Sequence, residues 1–203
     1  MIAYLDTLDT QLFLWINHHH SPWADWLLWS VSQTWSWAVV LIAVFCLLTL
    51  RREPRQWWVV GLGIILCFLL SDRISVLCFK DVVCRLRPCH VLEDVRMFRT
   101  HCGGQYGFIS SHAANVFSLT MFFALRYGKN GVRSISRRPA PSWVAPVLLF
   151  LWACLVAYSR PYLGKHYPGD CVCGAIVGMA MGALVFFLLE RIPWTRSHRS
   201  SSL

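Results

Sequence analysis

The chain has 203 residues, of which 56% are hydrophobic and only 14% are charged. Soluble domains carry about 25% charged residues, so this composition excludes a soluble globular enzyme, a disordered chain and a charged coiled coil. The net charge of +9 does not indicate a nucleic-acid partner, because the basic residues form short runs between apolar stretches and no continuous basic face. The sequence therefore indicates an integral membrane protein.

The first segment, residues 4–17, has the pattern of an amphipathic helix. Leu5, Leu8, Leu12 and Trp15 recur at spacings of three and four residues, which puts them on one helical face. The segment lacks the positively charged start and the small-residue cleavage site of a secretory signal, so we expect no cleavage. We assign residues 1–22 to an N-terminal helix that lies in the membrane interface.

Five apolar runs follow and predict the transmembrane part of the fold. They cover residues 35–50, 57–70, 113–125, 143–158 and 171–189. A bilayer core needs about 20 mostly apolar residues per helix, and all runs but the last reach that length only by including neighbouring residues. The prediction is an all-α, polytopic membrane helix bundle over residues 23–193, with about five transmembrane helices; four and six stay open.

Basic residues after the first, third and fifth runs predict the orientation of the bundle. They are Arg51, Arg52, Arg55, Arg126, Lys129, Arg133, Arg137, Arg138, Arg191, Arg196 and Arg199. Five spans put these three segments on one side, and the positive-inside rule makes that side cytoplasmic. Residues 194–203 then form a basic, serine-rich cytoplasmic tail, whereas residues 79–110 and 159–169 face outward.

The two outward segments are unusually rich in cations and histidines for this chain. The members are Lys80, Arg85, Arg87, His90, Arg96, Arg99, His101, His112, Arg160, Lys165 and His166. These residues run against the charge asymmetry that sets topology, so they need a separate explanation. A group of cations beside histidines at the membrane surface suits an oxyanion with several negative oxygens, and phosphate is the obvious candidate.

Two local patterns supply candidate phosphate ligands. In the first, Lys80 precedes Arg87 and Pro88 by a fixed spacing; Arg87 can bind two phosphate oxygens with its planar fork, and Lys80 acts as a point charge. In the second, Ser110 and Ser111 stand before a predicted helix. At an N-cap position their hydroxyls and free backbone N–H groups can hold an anion.

A third pattern joins Arg160 to His166 and Asp170. Pro168 suits the first turn of a helix, which puts Asp170 in that turn and His166 just before it. From there Asp170 can accept a hydrogen bond from one ring nitrogen of His166, leaving the other nitrogen as a nucleophile.

Together the three patterns resemble the type 2 phosphatidic acid phosphatase superfamily, whose motifs are KxxxxxxRP, PSGH and SRxxxxxHxxxD, and which includes the vanadium haloperoxidases. The resemblance spans roughly residues 57–190. It implies that His166 attacks phosphorus to form a phosphohistidine, that Asp170 orients His166, and that His112 protonates the leaving oxygen. It implies phosphate binding by Lys80, Arg87, Ser110, Ser111 and Arg160. It also implies no metal and no other cofactor, since the cations neutralise the phosphoryl oxygens.

The middle motif departs from the superfamily pattern. Ile109 and Ser111 stand where PSGH has proline and glycine. Without glycine a positive φ is costly, so the Ser111 backbone N–H is available only if the helix starts with ordinary geometry. Ser111 is the only support for a catalytically inactive protein, and we expect an intact site.

The resemblance also narrows the substrate. The short chain, the Ser-Ser-His-Ala-Ala-Asn form of the middle motif and residues 9–17 look like bacterial lipid A phosphatases of the 4′ type. This implies a phosphate monoester of lipid A at the periplasmic face of a bacterial inner membrane, with no obligate protein partner. Undecaprenyl diphosphate phosphatase and phosphatidylglycerophosphate phosphatase remain alternatives, because they use the same catalytic residues.

Two further features bear on function. Asp72 and Arg73 interrupt the second span, and intramembrane charges often line transport pathways; a membrane transporter or binding protein is therefore an alternative of another class. Because the two residues are adjacent and near one end, we interpret them as a structural pair.

The outward loop contains Cys84, Cys89 and Cys102. An oxidising periplasm permits a disulfide there, but the sequence leaves the pairing open.

Overall fold

A computed structural model describes residues 2–50, 56–128 and 144–191. Within these ranges the secondary structure is helical, and extended pairing is limited to one antiparallel bridge between Leu86 and Tyr106. The helices are α1 (Ile2–His18), α2 (Pro22–Ser32), α3 (Thr34–Val44), α4 (Trp57–Ile74), α5 (Asp81–Val83), α6 (Pro88–Val91), α7 (Ser111–Tyr127), α8 (Val144–Tyr162) and α9 (Pro168–Glu190). Short π-helical segments, Phe45–Leu50 and Ser75–Lys80, extend α3 and α4. The all-α class is as predicted.

Length and composition identify the membrane-spanning elements. Among the described residues, three helices are long and apolar enough to cross a membrane: Trp57–Val83, Val144–Tyr162 and Pro168–Glu190. The pair α2 and α3 passes the same test together, although its axis bends by 66°. Helix α7 has only 17 residues and is the most deeply buried helix of the bundle. The polytopic helix bundle is thus confirmed, whereas the count of five spans stays a prediction.

Part of the predicted topology lies outside the described residues. This concerns Arg51, Arg52, Arg55, Lys129, Arg133, Arg137, Arg138, Arg196 and Arg199 as well as the tail at 194–203. The cytoplasmic assignment of these basic segments therefore stays a prediction.

Close packing of α7 against α9 fixes the centre of the bundle. Gly174, Gly178 and Gly182 repeat every four residues along α9, so they share one face. A Cβ at Gly174 would lie 2.6 Å from the backbone oxygen of Ser110, and one at Gly178 or Gly182 would clash with the α7 backbone. The absence of these side chains lets the two backbones touch. The beginnings of both helices consequently lie side by side, where the Ser110 N–H donates to the Asp170 carbonyl at 3.0 Å.

The N-terminal segment is a helix, as predicted, and it is apolar on two faces. Phe13 and Ile16 are buried against the bundle. On the other side the predicted stripe is exposed, with Leu5 at 58% and Trp15 at 59%. The inner face thus attaches α1 to the bundle, and the outer face is free to meet lipid. That α1 lies in the interface remains a proposal.

A disulfide shapes the loop between α5 and α7. Cys89 is bonded to Cys102, whereas Cys84 is free, which answers the pairing that the sequence leaves open. Next to the disulfide, the Arg87 N–H donates to the Gln105 carbonyl at 3.2 Å, and the Gly107 N–H donates to the Arg85 carbonyl at 2.8 Å. These bonds hold the strand-like segment with Arg85 and Arg87 against the start of α7.

Candidate active site

A cavity of about 610 Å³ opens at the end of the bundle where α7 and α9 begin. Six of the eight predicted site residues line it: Lys80, Arg87, Ser111, His112, Arg160 and His166. Its other side is mainly apolar, with Trp37, Leu41 and Phe68 from α3 and α4. The cavity therefore joins a cationic pocket to an apolar wall, an arrangement that suits a phosphate attached to a lipid.

His166 lies at the centre of the polar side and is 2% exposed. Its Nε2 is 3.1 Å from Arg87 Nη1. Because a guanidinium can only donate, Nε2 must be the unprotonated nitrogen and the ring proton belongs on Nδ1. Burial, together with the positive charges of Arg87 and Arg160, holds the pKa of His166 well below its usual range. His166 is thus a neutral imidazole whose lone pair faces the cations.

Asp170 lies behind His166, outside the cavity lining, and is fully buried. Its Oδ2 is 3.5 Å from His166 Nδ1, without the geometry of a hydrogen bond. In this structure the expected hydrogen bond is thus a longer, facing contact, and a backbone contact with Gly107 also acts on the His166 ring and opposes the lowering of its pKa. Gly107 permits this approach, because a Cβ there would lie 3.2 Å from Asp170 Oδ2.

The first turn of α9 fixes the Asp170 carboxylate, as the position of Pro168 predicts. Pro168 begins the helix, and the Tyr167 N–H donates to Asp170 Oδ2 at 3.1 Å. Oδ1 accepts a hydrogen bond from Arg85 Nη1 at 2.9 Å. The carboxylate is thus oriented by a backbone donor and a cation.

The cations converge on the cavity from three elements. Lys80 Nζ donates to Ser111 Oγ at 2.7 Å, which connects the end of the α4 span to the start of α7. Arg87 comes from the disulfide-bonded loop, and burial lowers its pKa. Arg160 lies in the last turn of α8 and is 2% exposed. Arg87 Nε and Arg160 Nε are both buried without a hydrogen-bond partner among the described residues. The site therefore has buried donors to offer an oxyanion.

The two serines of the middle motif have different positions. Ser110 is the N-cap of α7 and is fully buried; its Oγ accepts the Ala113 N–H at 3.5 Å. The structure thus puts its hydroxyl in the helix cap and outside the cavity lining, which departs from the phosphate-binding role expected for it. Ser111 begins α7 and lines the cavity. Positive φ values among described non-glycine residues occur at Cys84 and Arg99, so Ser111 replaces glycine with ordinary helical geometry.

His112 follows in the first turn of α7 and lines the same cavity as His166. Its ring contacts Trp37 edge to face, with centroids 5.0 Å apart. The aromatic contact holds the imidazole at the boundary between the polar and apolar sides. Both predicted histidines therefore face one pocket, where one can attack a phosphorus atom and the other can protonate a leaving oxygen.

Sequence reasoning gave no role to several residues that matter here. Arg85 contacts Asp170, and it also pairs with Asp9 of α1 at 2.8 Å. No spacing rule connects residues 76 positions apart.

The predicted pair of Asp72 and Arg73 is wrong, because no ion pair joins them among the described residues and Asp72 lines the cavity. Lys165 is half-buried, and burial together with Arg160 and Arg87 lowers its pKa to about 8.

The chain is similar to known sequences over nearly its whole length. The PAP2 superfamily matches residues 56–194, a range that includes all three motifs. The lipid A 4′-phosphatase of Bacteroides thetaiotaomicron is 31% identical over 196 residues, which cover 95% of this chain and 81% of that protein. The lipid A 4′-phosphatase of Porphyromonas gingivalis is 29% identical over 200 residues, 95% of this chain and 78% of that protein.

Two solved structures share the architecture. The PAP2-type phosphatidylglycerolphosphate phosphatase of Bacillus subtilis superposes with a TM-score of 0.70 at 19% identity, covering 93% of this chain and 88% of that one. LpxE of Aquifex aeolicus gives a TM-score of 0.59 at 24% identity, covering 88% and 94%. At these identities the likeness concerns the fold alone. The superfamily match and the relatives above carry the conclusion that the chain belongs to the PAP2 superfamily and is a membrane phosphatase.

Proposed function

We propose that this phosphatase removes the 4′-phosphate monoester of lipid A through a phosphohistidine formed on His166. The proposed mechanism is supported mainly by the contact of Arg87 Nη1 with His166 Nε2 at 3.1 Å. The contact indicates that Nε2 is unprotonated and that its lone pair lies next to the cations that would bind a phosphate. The substrate assignment is supported by the two lipid A 4′-phosphatases, each aligned over 95% of this chain.

The first half of the reaction breaks the ester bond. Nε2 of His166 attacks phosphorus, and Arg87 moves its hydrogen bond from Nε2 to a phosphoryl oxygen. Lys80, Ser111 and Arg160 bind the remaining oxygens, whose charge is largest in the transition state. His112, which takes up a proton when the anionic phosphate binds beside it, gives that proton to the leaving sugar oxygen as the P–O bond breaks. Asp170 stabilises the positive charge that the imidazole gains, since its carboxylate faces Nδ1.

The second half releases phosphate. His112, now neutral, accepts a proton from a water molecule that attacks the phosphohistidine, and the N–P bond breaks. His166 returns to its neutral form and His112 to its protonated form. The cations already offset the phosphoryl charge in both halves, so we expect that no metal is required.

We further propose that the site faces the periplasm of a bacterial inner membrane. The Cys89–Cys102 disulfide lies in the loop that carries Arg87, and disulfides persist in oxidising compartments such as the periplasm. The exposed apolar stripe of α1 supports a position in the outer-leaflet interface. From that level a lipid headgroup reaches the cavity without crossing the bilayer.

The decisive experiment measures phosphate release by the purified protein from three lipids in matched micelles. The lipids are bis-phosphorylated lipid A, undecaprenyl diphosphate and phosphatidylglycerophosphate, with His166→Ala as the inactive control. We expect the highest kcat/KM with lipid A, and fragment-ion mass spectrometry should show loss of the 4′-phosphate. Preferred cleavage of undecaprenyl diphosphate, or loss of the 1-phosphate, would overturn the substrate assignment.

The same preparation tests the metal-free mechanism. Activity should persist in EDTA and fall with vanadate, whose trigonal-bipyramidal form resembles phosphorus under attack. Addition of Mg²⁺ after chelation should give no recovery, because no activity was lost. An absolute dependence on Mg²⁺ would contradict the mechanism.

A further inference from the structure

A group of four charged residues from three parts of the chain lies behind the proposed nucleophile. Arg85 is its centre: Nη1 donates to Asp9 Oδ2 at 2.8 Å and to Asp170 Oδ1 at 2.9 Å, and Nη2 donates to Asp6 Oδ1 at 2.7 Å. Asp6 and Asp9 belong to α1, whereas Asp170 belongs to α9. The N-terminal helix is thus connected to the catalytic carboxylate through a single guanidinium.

Asp9 makes a second contact, with the backbone next to Asp170. Its Oδ1 accepts the N–H of Gly169 at 2.7 Å, one residue before Asp170. The fit is close, because a Cβ on Gly169 would lie 2.8 Å from Asp9 Oδ2. Asp9 therefore holds both the backbone of the α9 first turn and the cation that binds the Asp170 side chain.

Aromatic contacts keep α1 and Arg85 in register. The Arg85 guanidinium lies 3.9 Å from the centre of the Tyr167 ring, and that ring packs edge to face on Phe13 of α1 at 5.5 Å. A guanidinium over an aromatic face gains a cation–π interaction. These contacts make the cluster a fixed arrangement and not a set of surface charges.

The signs of the charges explain what the cluster can do. Alone, Arg85 would neutralise Asp170 and weaken its hold on the imidazolium that forms during attack. Asp6 and Asp9 offset that positive charge, so the group behind Nδ1 keeps a negative balance. On the opposite side, Nε2 faces cations. The electric field across the ring therefore favours the attack, in which the imidazole becomes positive near Asp170 and negative charge builds up on the phosphoryl oxygens near the cations.

We propose that α1 belongs to the catalytic machinery through Asp9, a positioning residue that orients Asp170 and offsets the charge of Arg85. The inference rests on the phosphohistidine route proposed above. It gives the amphipathic N-terminal helix a second task, beside contact with the membrane interface.

The test is Asp9→Asn, which keeps the shape of the side chain and removes its charge. Partners that orient a reacting or ligating group contribute about 10–100-fold when removed, and we expect kcat to fall by a factor in that range with KM little changed. Asp6→Asn should lower kcat less, because that side chain is 65% exposed and pairs with Arg85 without an ion pair or hydrogen bond to the first turn of α9 among the described residues.

Asp94→Asn is the matched control. It removes a carboxylate that pairs with His18 at the other end of α1, at 3.3 Å and 91% exposed, without touching Arg85. If α1 only needs to be attached to the bundle, Asp94→Asn and Asp9→Asn should reduce activity alike. The proposal expects a loss of kcat for Asp9→Asn and none for Asp94→Asn, with an unchanged unfolding temperature for both.

A double-mutant cycle separates positioning from general destabilisation. In the Asp170→Asn background, Asp9→Asn should lower kcat much less than it does in the wild type, since its positioning effect goes through Asp170. Multiplicative losses, or a wild-type-like kcat for Asp9→Asn, would overturn the inference. A wild-type protein without activity on any lipid phosphate would instead contradict the proposed function, so the two failures are distinguishable.

Discussion

Two arginines at opposite ends of the bundle are equally buried but have opposite surroundings. Arg126 and Arg160 are each 2% exposed. Arg126 lies in the last turn of α7 and donates to Gln56 at 2.6 Å and to Glu190 at 3.4 Å. Arg160 has no carboxylate within ion-pair distance among the described residues, and it faces the cavity beside Arg87. Because the two arginines are equally buried, the difference between them lies in their polar partners.

A structural cation differs from a functional one in the partners that surround it. A buried charge is costly unless it is paired, and the contacts of Arg126 meet that cost at the end of α7. At Arg160 the protein keeps an uncompensated cation beside two others, which is stable only where packing elsewhere supports it. A pocket of this kind is suited to a multiply charged anion. The α7–α9 glycine contact supplies that rigid support.

The largest effect is expected at the nucleophile on the functional side of the comparison. His166→Ala should abolish turnover, a loss of roughly 10⁴-fold or more, as for removal of other covalent catalysts. Phosphate release from lipid A and trapping of a phosphoryl-enzyme both measure it. Residual activity within tenfold of wild type would contradict covalent catalysis by His166.

His112→Ala should have the next largest effect, because general acids contribute roughly 10²–10⁴-fold. The reason is that the leaving sugar oxygen departs without a proton. Substrate binding should be spared, since the cations remain. The sharp check is a substrate with a leaving group of low pKa, such as an aryl phosphate ester, on which the variant should regain most of its kcat. Equal losses on both substrates would contradict the role.

The comparison itself is tested by exchanging each buried arginine for methionine. Arg160→Met should lower kcat/KM by about 10²–10³-fold, the range for loss of one transition-state donor, and should keep or raise the unfolding temperature. Arg126→Met should destabilise the fold by about 3–5 kcal/mol, the cost of breaking a buried ion pair, while the folded fraction keeps its KM. Thermal unfolding in detergent and steady-state kinetics report the two quantities. Identical behaviour of the variants would remove the distinction.

Local spacing in the sequence predicts most of the cavity but little of what lies behind it. Lys80, Arg87, Ser111, His112, Arg160 and His166 belong to motifs whose order follows helix starts and ends, and all of them line the cavity. The cap at Ser110 and the helix start at Pro168 are likewise local features. Helical periodicity and capping preferences are properties of neighbouring residues, so one sequence reveals them.

Contacts between residues far apart in the sequence depend on how the helices pack, and the spacing of neighbouring residues does not reveal that packing. Asp9 meets Arg85 because α1 lies against the disulfide-bonded loop and the α9 turn. Asp72 looks like the partner of its neighbour Arg73, but successive residues on a helix point in different directions, and Asp72 faces the cavity. Helix α7 has 17 residues and is largely buried by other helices, so its length and apolar content alone do not identify it as a span.

The smallest effect is expected for the pH dependence of stability and of kcat/KM that arises from Lys165, which lies near Arg160 and Arg87. The pKa of Lys165 is lowered from 10.5 to about 8 by burial and by its neighbours Arg160 and Arg87. Between these two values the unfolded chain binds more protons than the folded one, so this residue makes stability rise with pH across that window. Activity should move the other way: kcat/KM falls as pH passes about 8, because the site loses one positive charge before substrate binds. Lys165→Met should remove that limb and lower the neutral-pH value by about 5-fold or less, as expected for a partly exposed charge. An alkaline limb of the same pKa in both proteins would assign it to another group and leave Arg160 and Arg87 as the cations that matter.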